Sequence, residues 1–251
     1  MAGHSKWSKV KRIKGAIDVK RGKLFSKLSK EITVAARMGG GDPSGNPRLR
    51  AAVLAARAQS MPNENIDRAI KRGTGDLDGA AHIEELVYEG YAPGGIALIV
   101  EVATDNKNRT AADLRLIFTK NHGNLASSGS VSYMFKRKGQ IFVPQGGAGE
   151  DELLAIILEA GADELTADGE HFVITTAPDH LYSVAESLKN AGVPADSQKL
   201  TYLPDNTVPV YDETVAAQVL RLCDALEDND DVQNVHSNFD LPEELLAKLS
   251  V

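Results

Sequence analysis

Cysteine is almost missing from this chain of 251 residues: Cys223 is alone, so no disulfide can close within it and no Cys-x-x-Cys pair can hold zinc or run redox chemistry. Long apolar runs are missing too. The longest, Ile96 to Val100, falls far short of the roughly 20 residues that cross a bilayer. The six histidines include no pair at the i, i+4 spacing of a helical metal site. Aromatic residues make up only 5%, with Trp7 the single tryptophan.

Catalytic signatures are equally scarce. The segment GGGDPSGN from Gly39 lacks the Gly-Lys-Ser/Thr ending that a phosphate loop needs, and reads as a turn between helices. Ser127 to Ser130 offer hydroxyls outside any Gly-x-Ser-x-Gly elbow. Glu227 to Asp231 (EDNDD) lack the register of a calcium loop and read as a solvated helix end. These absences predict no catalytic residue, no metal ligand and no cofactor. With no apolar signal-peptide core at the N-terminus, the expected compartment is the cytoplasm, with no membrane partner.

What the sequence does contain is a separation of charge. Residues 1–75 carry 17 Lys and Arg against 5 Asp and Glu, while the other 176 carry 11 against 30. A mixed solvated surface would not sort its signs by region, so the front is expected to meet a polyanion. The acidic remainder would be repelled by a nucleic acid backbone, and is expected to face solvent or a protein partner with a basic surface.

The basic front opens with a glycine-interrupted arm. From Lys20 the period becomes helical, with Leu24, Leu28, Ile32 and Ala35 on one face. Asn46 as cap and Pro47 as first residue announce a second helix, with Arg48, Arg50 and Arg57 turned to solvent. A third carries Ile66 and Ile70 and is expected to end at Gly73. The residues expected to bind nucleic acid are His4, Lys6, Trp7, Lys9, Lys11, Arg12, Lys14, Lys20, Arg21, Lys23, Lys27, Arg48 and Arg50. Trp7 either stacks on an exposed base or folds back as an anchor for the arm. No helix shows the Asn, Gln and Arg cluster of a base-reading element, so recognition led by phosphate and shape is expected.

After residue 81 strands alternate with helices. Two strands and one helix before residue 125 are too few for a closed layer pair, whereas a helix and a strand are left over at the end of the chain. The expected architecture is α+β in three domains. Residues 1–75 form the basic arm and three-helix domain. A discontinuous α/β domain combines 82–130 with 205–251 and has its sheet covered on one face. A β-α-β-α-β domain of 131–204 is inserted into it, and both are small α/β sandwiches of ferredoxin-like kind. SVSYMF and QIFVP are read as a pair of separate extended stretches.

MAGHSKW, KRGKLFSKLSKEITVAAR, GGGDP with NPRLRAAV, RAIKRGTG, YEGYAPGG, TDNKNRT and GSVSYMF together resemble the YebC/PmpR family, whose mitochondrial relatives are translational activators of cytochrome c oxidase. The resemblance covers nearly the whole chain. It implies a non-enzymatic cytoplasmic protein of three domains, a DNA-binding transcriptional regulator that uses its basic N-terminal domain. It also implies an alternative, a translation factor that contacts ribosomal RNA and relieves stalling at proline-rich stretches. In DNKNRT, Lys107 stands where the family pattern leads one to expect arginine.

Overall fold

Three amphipathic helices, α1 (Arg21–Gly39), α2 (Pro47–Ala58) and α3 (Asn63–Thr74), bury one stripe each against the others. The computed structural model describes residues 21–77, 82–146, 148–242, 244–245 and 248. The helical core is Ile32, Ala35 and Ala36 of α1, Leu49, Val53 and Ala56 of α2, and Ile66 and Ala69 of α3. Phe25 packs against it at the place expected of Leu24.

Asn46 organises the first turn. Its side-chain oxygen accepts from Leu49 N at 3.1 Å, while its amide donates to the carbonyls of Ala35 (2.8 Å) and Gly40 (2.9 Å). One residue thus caps α2 and ties off the end of α1.

Gly73 does not end α3 as expected. The left-handed cap is Gly75, at φ 83°, and Gly73 lies inside the helix. Its role is close approach: a Cβ there would lie 2.3 Å from the Thr33 carbonyl oxygen and 2.7 Å from Ala36 Cβ, both on α1. Gly73→Ala should therefore push α3 off α1 and cost about 1–3 kcal/mol. The measurement is the urea midpoint of the full chain, and an unchanged midpoint would contradict this packing.

Beyond the helices the chain forms β1 (Glu84–Ala92), β2 (Ile96–Thr104), α4 (Lys107–Lys120) and β3 (Asn124–Ala126). It continues through β4 (Phe135–Pro144), α5 (Glu150–Ala160), β5 (Ala162–Asp168), β6 (His171–Thr176), α6 (Leu181–Asn190) and β7 (Ser197–Pro204). It ends with β8 (Val208–Pro209), α7 (Glu213–Glu227), β9 (Val232–Ser237) and β10 (Phe239–Asp240). Two compact units result, one taking the chain up to Lys136 and again from Leu203, the other Arg137–Tyr202.

In the first unit an antiparallel sheet runs β3-β1-β2-β9. Side chains alternate along β2, so Ile96, Leu98, Val100 and Val102 share one face and pack with Leu114 and Phe118 of α4 and Val219, Leu222 and Leu226 of α7. Cys223 is buried in the same core. The sheet is not covered on one face only, because Ala103 on the other side packs with Ile83 and with Val34 of α1.

In the second unit the order is β5-β6-β4-β7 with βαββαβ connectivity, the ferredoxin-like split unit. It has one strand more than the sequence suggested. ADELTAD lacks the apolar alternation that marks strands, and as β5 it holds a sheet edge, where acidic residues discourage pairing with other chains. SVSYMF and QIFVP are not two strands either. Ser132–Met134 form a short 3-10 turn, and β4 is continuous from Phe135.

Candidate nucleic-acid interface

The lysines of α1 recur at i, i+4 and i+7, so Lys23, Lys27 and Lys30 form one row. The row lies over the end of α7. Lys23 Nζ donates to the Asp228 carbonyl at 2.8 Å and to Asp228 Oδ1 at 3.2 Å. Lys27 Nζ donates to the Glu227 carbonyl at 2.6 Å. Lys30 Nζ donates to the Asp230 carbonyl at 2.8 Å and to Asp231 Oδ1 at 2.6 Å. Carbonyls at a helix C-terminus carry partial negative charge, which the ammonium groups neutralise. Residues 227–231 are thus no solvated helix end, as the sequence suggested, but the counter-surface of the lysine row.

Asp231 anchors this contact. Its Oδ2 accepts from Thr110 Oγ1 (2.7 Å), Arg109 Nη2 (3.0 Å) and Thr104 Oγ1 (3.3 Å), and its backbone carbonyl accepts from Ala103 N. Burial pushes its carboxyl pKa up, but the hydrogen bonds from Lys30, Thr110 and Arg109 outweigh that and hold it at about 2. The TDNKNRT segment thereby acquires a physical role. Asn106 caps α4 by accepting from Arg109 N, and Thr104, Arg109 and Thr110 surround Asp231.

Arg48 is not turned to solvent as expected. Its guanidinium lies between Glu31 (Nε–Oε1 2.8 Å) and Glu85 (Nη2–Oε1 2.6 Å), joining α1, α2 and β1. Burial works against its charge, but the two carboxylates outweigh that and hold the proton more firmly than in a free arginine. Arg50 donates to the carbonyls of Pro43 (3.2 Å) and Ser44 (3.1 Å), closing its own turn. Arg37 of α1 donates to the Ile83 carbonyl.

Of the residues expected to bind nucleic acid, Lys23, Lys27 and Arg48 are thus brought into one polar seam between the helices and the first sheet. Arg50 is set apart, and Arg21 opens α1. His4, Lys6, Trp7, Lys9, Lys11, Arg12, Lys14 and Lys20 lie outside the described residues. Arg57 is exposed as expected, and Arg68, Lys71 and Arg72, which the sequence reading did not name, are exposed too; none of the four makes an ion pair with a described residue. Arg68, Lys71 and Arg72 share one face of α3, a spacing visible in RAIKRG.

A second buried carboxylate also went unnoticed. Glu89 on β1, 4% exposed, accepts from Gly129 N (2.8 Å), Val131 N (2.6 Å) and Ser132 N (2.9 Å). Burial raises its pKa, and these backbone donors more than reverse that, so it lies below the usual glutamate range. It holds the GSVSYMF loop in place, with Tyr133 exposed at its end.

Among the described residues no group of three or more His, Cys, Asp or Glu could hold a metal ion. Among them, too, no helix is long and apolar enough to cross a membrane.

A basic three-helix region followed by two antiparallel α/β sheets defines an α+β protein. The chain belongs to the TACO1/YebC family: residues 5–76 match its N-terminal domain, and residues 83–239 its second and third domains. It is 54% identical over 250 residues to a "Probable transcriptional regulatory protein" of Rubrobacter xylanophilus, covering 100% of both chains. A protein of the same description from Desulfotalea psychrophila is also 54% identical, again over 100% of both. The crystal structure of a conserved hypothetical protein from Aquifex aeolicus superimposes with a TM-score of 0.82 at 50% identity, covering 91% of this chain and 93% of that one.

Proposed function

We propose that this chain is a non-enzymatic cytoplasmic regulator of gene expression that binds nucleic acid through residues 1–75. The observation that carries the reading is the charge split, 17 cations against 5 anions in those residues and the reverse sign beyond them. The names of its relatives point the same way, to a transcriptional regulator. Its acidic α/β parts are left to solvent or to a protein partner with a basic surface.

A second reading, a translation factor on ribosomal RNA, is favoured by one observation. The exposed side of α2 carries Leu54, Ala55 and Ala58 beside Arg57, without the Asn, Gln and Arg cluster of a base-reading element. Such a surface suits shape-led recognition, which irregular RNA demands.

Co-sedimentation with ribosomes at roughly physiological salt, with excess duplex DNA as competitor, separates the two. Retention on ribosomes supports the translation reading, and transfer to the DNA supports the transcriptional one. Deleting residues 1–20 should remove most affinity for either while the fold remains. About six lost phosphate contacts would flatten the log–log salt slope by about 5 on duplex DNA. Undiminished binding by the shortened chain would locate the contact elsewhere.

A further inference from the structure

We propose that the Lys23, Lys27 and Lys30 row of α1 is a phosphate-backbone track which the protein's own 227–231 turn covers in the free state, and that a nucleic acid binds there by displacing the turn. The inference rests on the nucleic-acid reading above and adds a regulation of that site.

The turn imitates a phosphate backbone. Along about 10 Å of helix, at ~1.5 Å per residue, three ammonium groups meet a succession of anionic oxygens. These are the carbonyls of 227, 228 and 230 and the carboxylates of Asp228 and Asp231. Three base pairs of a duplex rise by a similar ~10 Å, so a nucleic acid backbone can offer oxygens to the same row.

Release of the row is compatible with the surrounding structure. When Lys30 leaves, Asp231 keeps Arg109, Thr104 and Thr110, so no buried carboxylate is stranded. The Lys23–Asp228 pair is open to water, with the Asp228 side chain 78% exposed, and exposed pairs are weak. Among the described residues the apolar cluster that joins α1 to the sheet is Val34, Ile83 and Ala103. Further ties, Arg37 to the Ile83 carbonyl and to His82 and Arg48 to Glu85, lie beside the connection into β1. Arg37 sits near the end of α1 and Arg48 joins its middle through Glu31, while Lys23 and Lys27 lie toward its start. None of residues 227–231 belongs to the apolar core of either part, so displacing the turn opens neither core.

The test uses the full chain and a labelled duplex DNA of 20 base pairs. Asp228→Asn combined with Asp230→Asn removes two exposed carboxylates from the turn and leaves Asp231 intact. A control, Glu84→Gln with Glu213→Gln, makes the same change of net charge away from the row. The turn variant should bind about threefold to tenfold more tightly than the wild type at 0.1 M salt, since weak surface pairs no longer compete. The control should gain clearly less. Equal gains in both variants, or no gain in the turn variant, would overturn the proposal while leaving the nucleic-acid reading in place. Failure of all three proteins to bind duplex would overturn the proposal together with the DNA reading and leave ribosomal RNA as the target to test.

Discussion

Asp231→Ala is expected to lower the unfolding free energy by about 3–5 kcal/mol, the usual cost of removing one partner from a buried charged network. The carboxylate is the common acceptor for Lys30, Arg109, Thr104 and Thr110, which come from α1, the start of α4 and the end of β2. Removing it leaves Lys30 with the Asp230 carbonyl, Arg109 with Asp105, and the buried Thr104 hydroxyl without its carboxylate acceptor. Asp231→Asn keeps the shape and one acceptor oxygen and should cost less. Denaturant midpoints of the two variants against the wild type decide the matter. Equal, small losses would mean that the network contributes little.

The same residue sets an acid limit. Its folded pKa of about 2 lies below the unfolded value near ~4, so its contribution is fully present above pH ~4 and is lost as pH falls toward 2. That contribution is about 2–3 kcal/mol. Stability measured from pH 5 to pH 2 should therefore fall more steeply in the wild type than in Asp231→Asn, which has no proton to take up there. Parallel curves would place the acid lability elsewhere.

Glu89→Ala should cost about 3 kcal/mol, because three backbone N–H groups lose their acceptor and each unsatisfied buried donor costs about 1–3 kcal/mol. The loss should be local as well as global. Gly129, Val131 and Ser132 are held by the carboxylate, and Tyr91 Oη donating to the Ser130 carbonyl is a further tie from β1. Limited proteolysis should cut the variant within 127–134 before any other loop, and Glu89→Gln, which retains one acceptor oxygen, should be cut more slowly. If Glu89→Ala resists protease as the wild type does, the loop has another support. Since the folded pKa is lowered, this contribution too is present above the ordinary glutamate value and fades as pH falls from there through the lowered folded value.

Much of the fold is legible in the sequence because its signals are local. The 3.6-residue period of α1, α2 and α7, the Asn46-Pro47 start and the β-branched run of β2 each act over a few residues. The strand ADELTAD was not legible, because an acidic sheet edge has no apolar period to display. Gly73 looked like a helix stop because only tertiary packing reveals the Thr33 carbonyl beside it. The candidate site divides in the same way. The lysine row and the family motifs can be read directly, whereas the oxygens that face the row are some 200 positions away in the chain.

The sequence by itself therefore determined the elements, the sign of charge on each part and the family. The tertiary structure alone decided that the acidic part meets the basic one inside the molecule, with Asp231 under Lys30 and Glu89 under a distant loop. The physical reason is range. Propensity and charge belong to residues and their near neighbours, but the partner of a charge is fixed only once the sheet has closed and brought the ends of α7 and β2 beside α1.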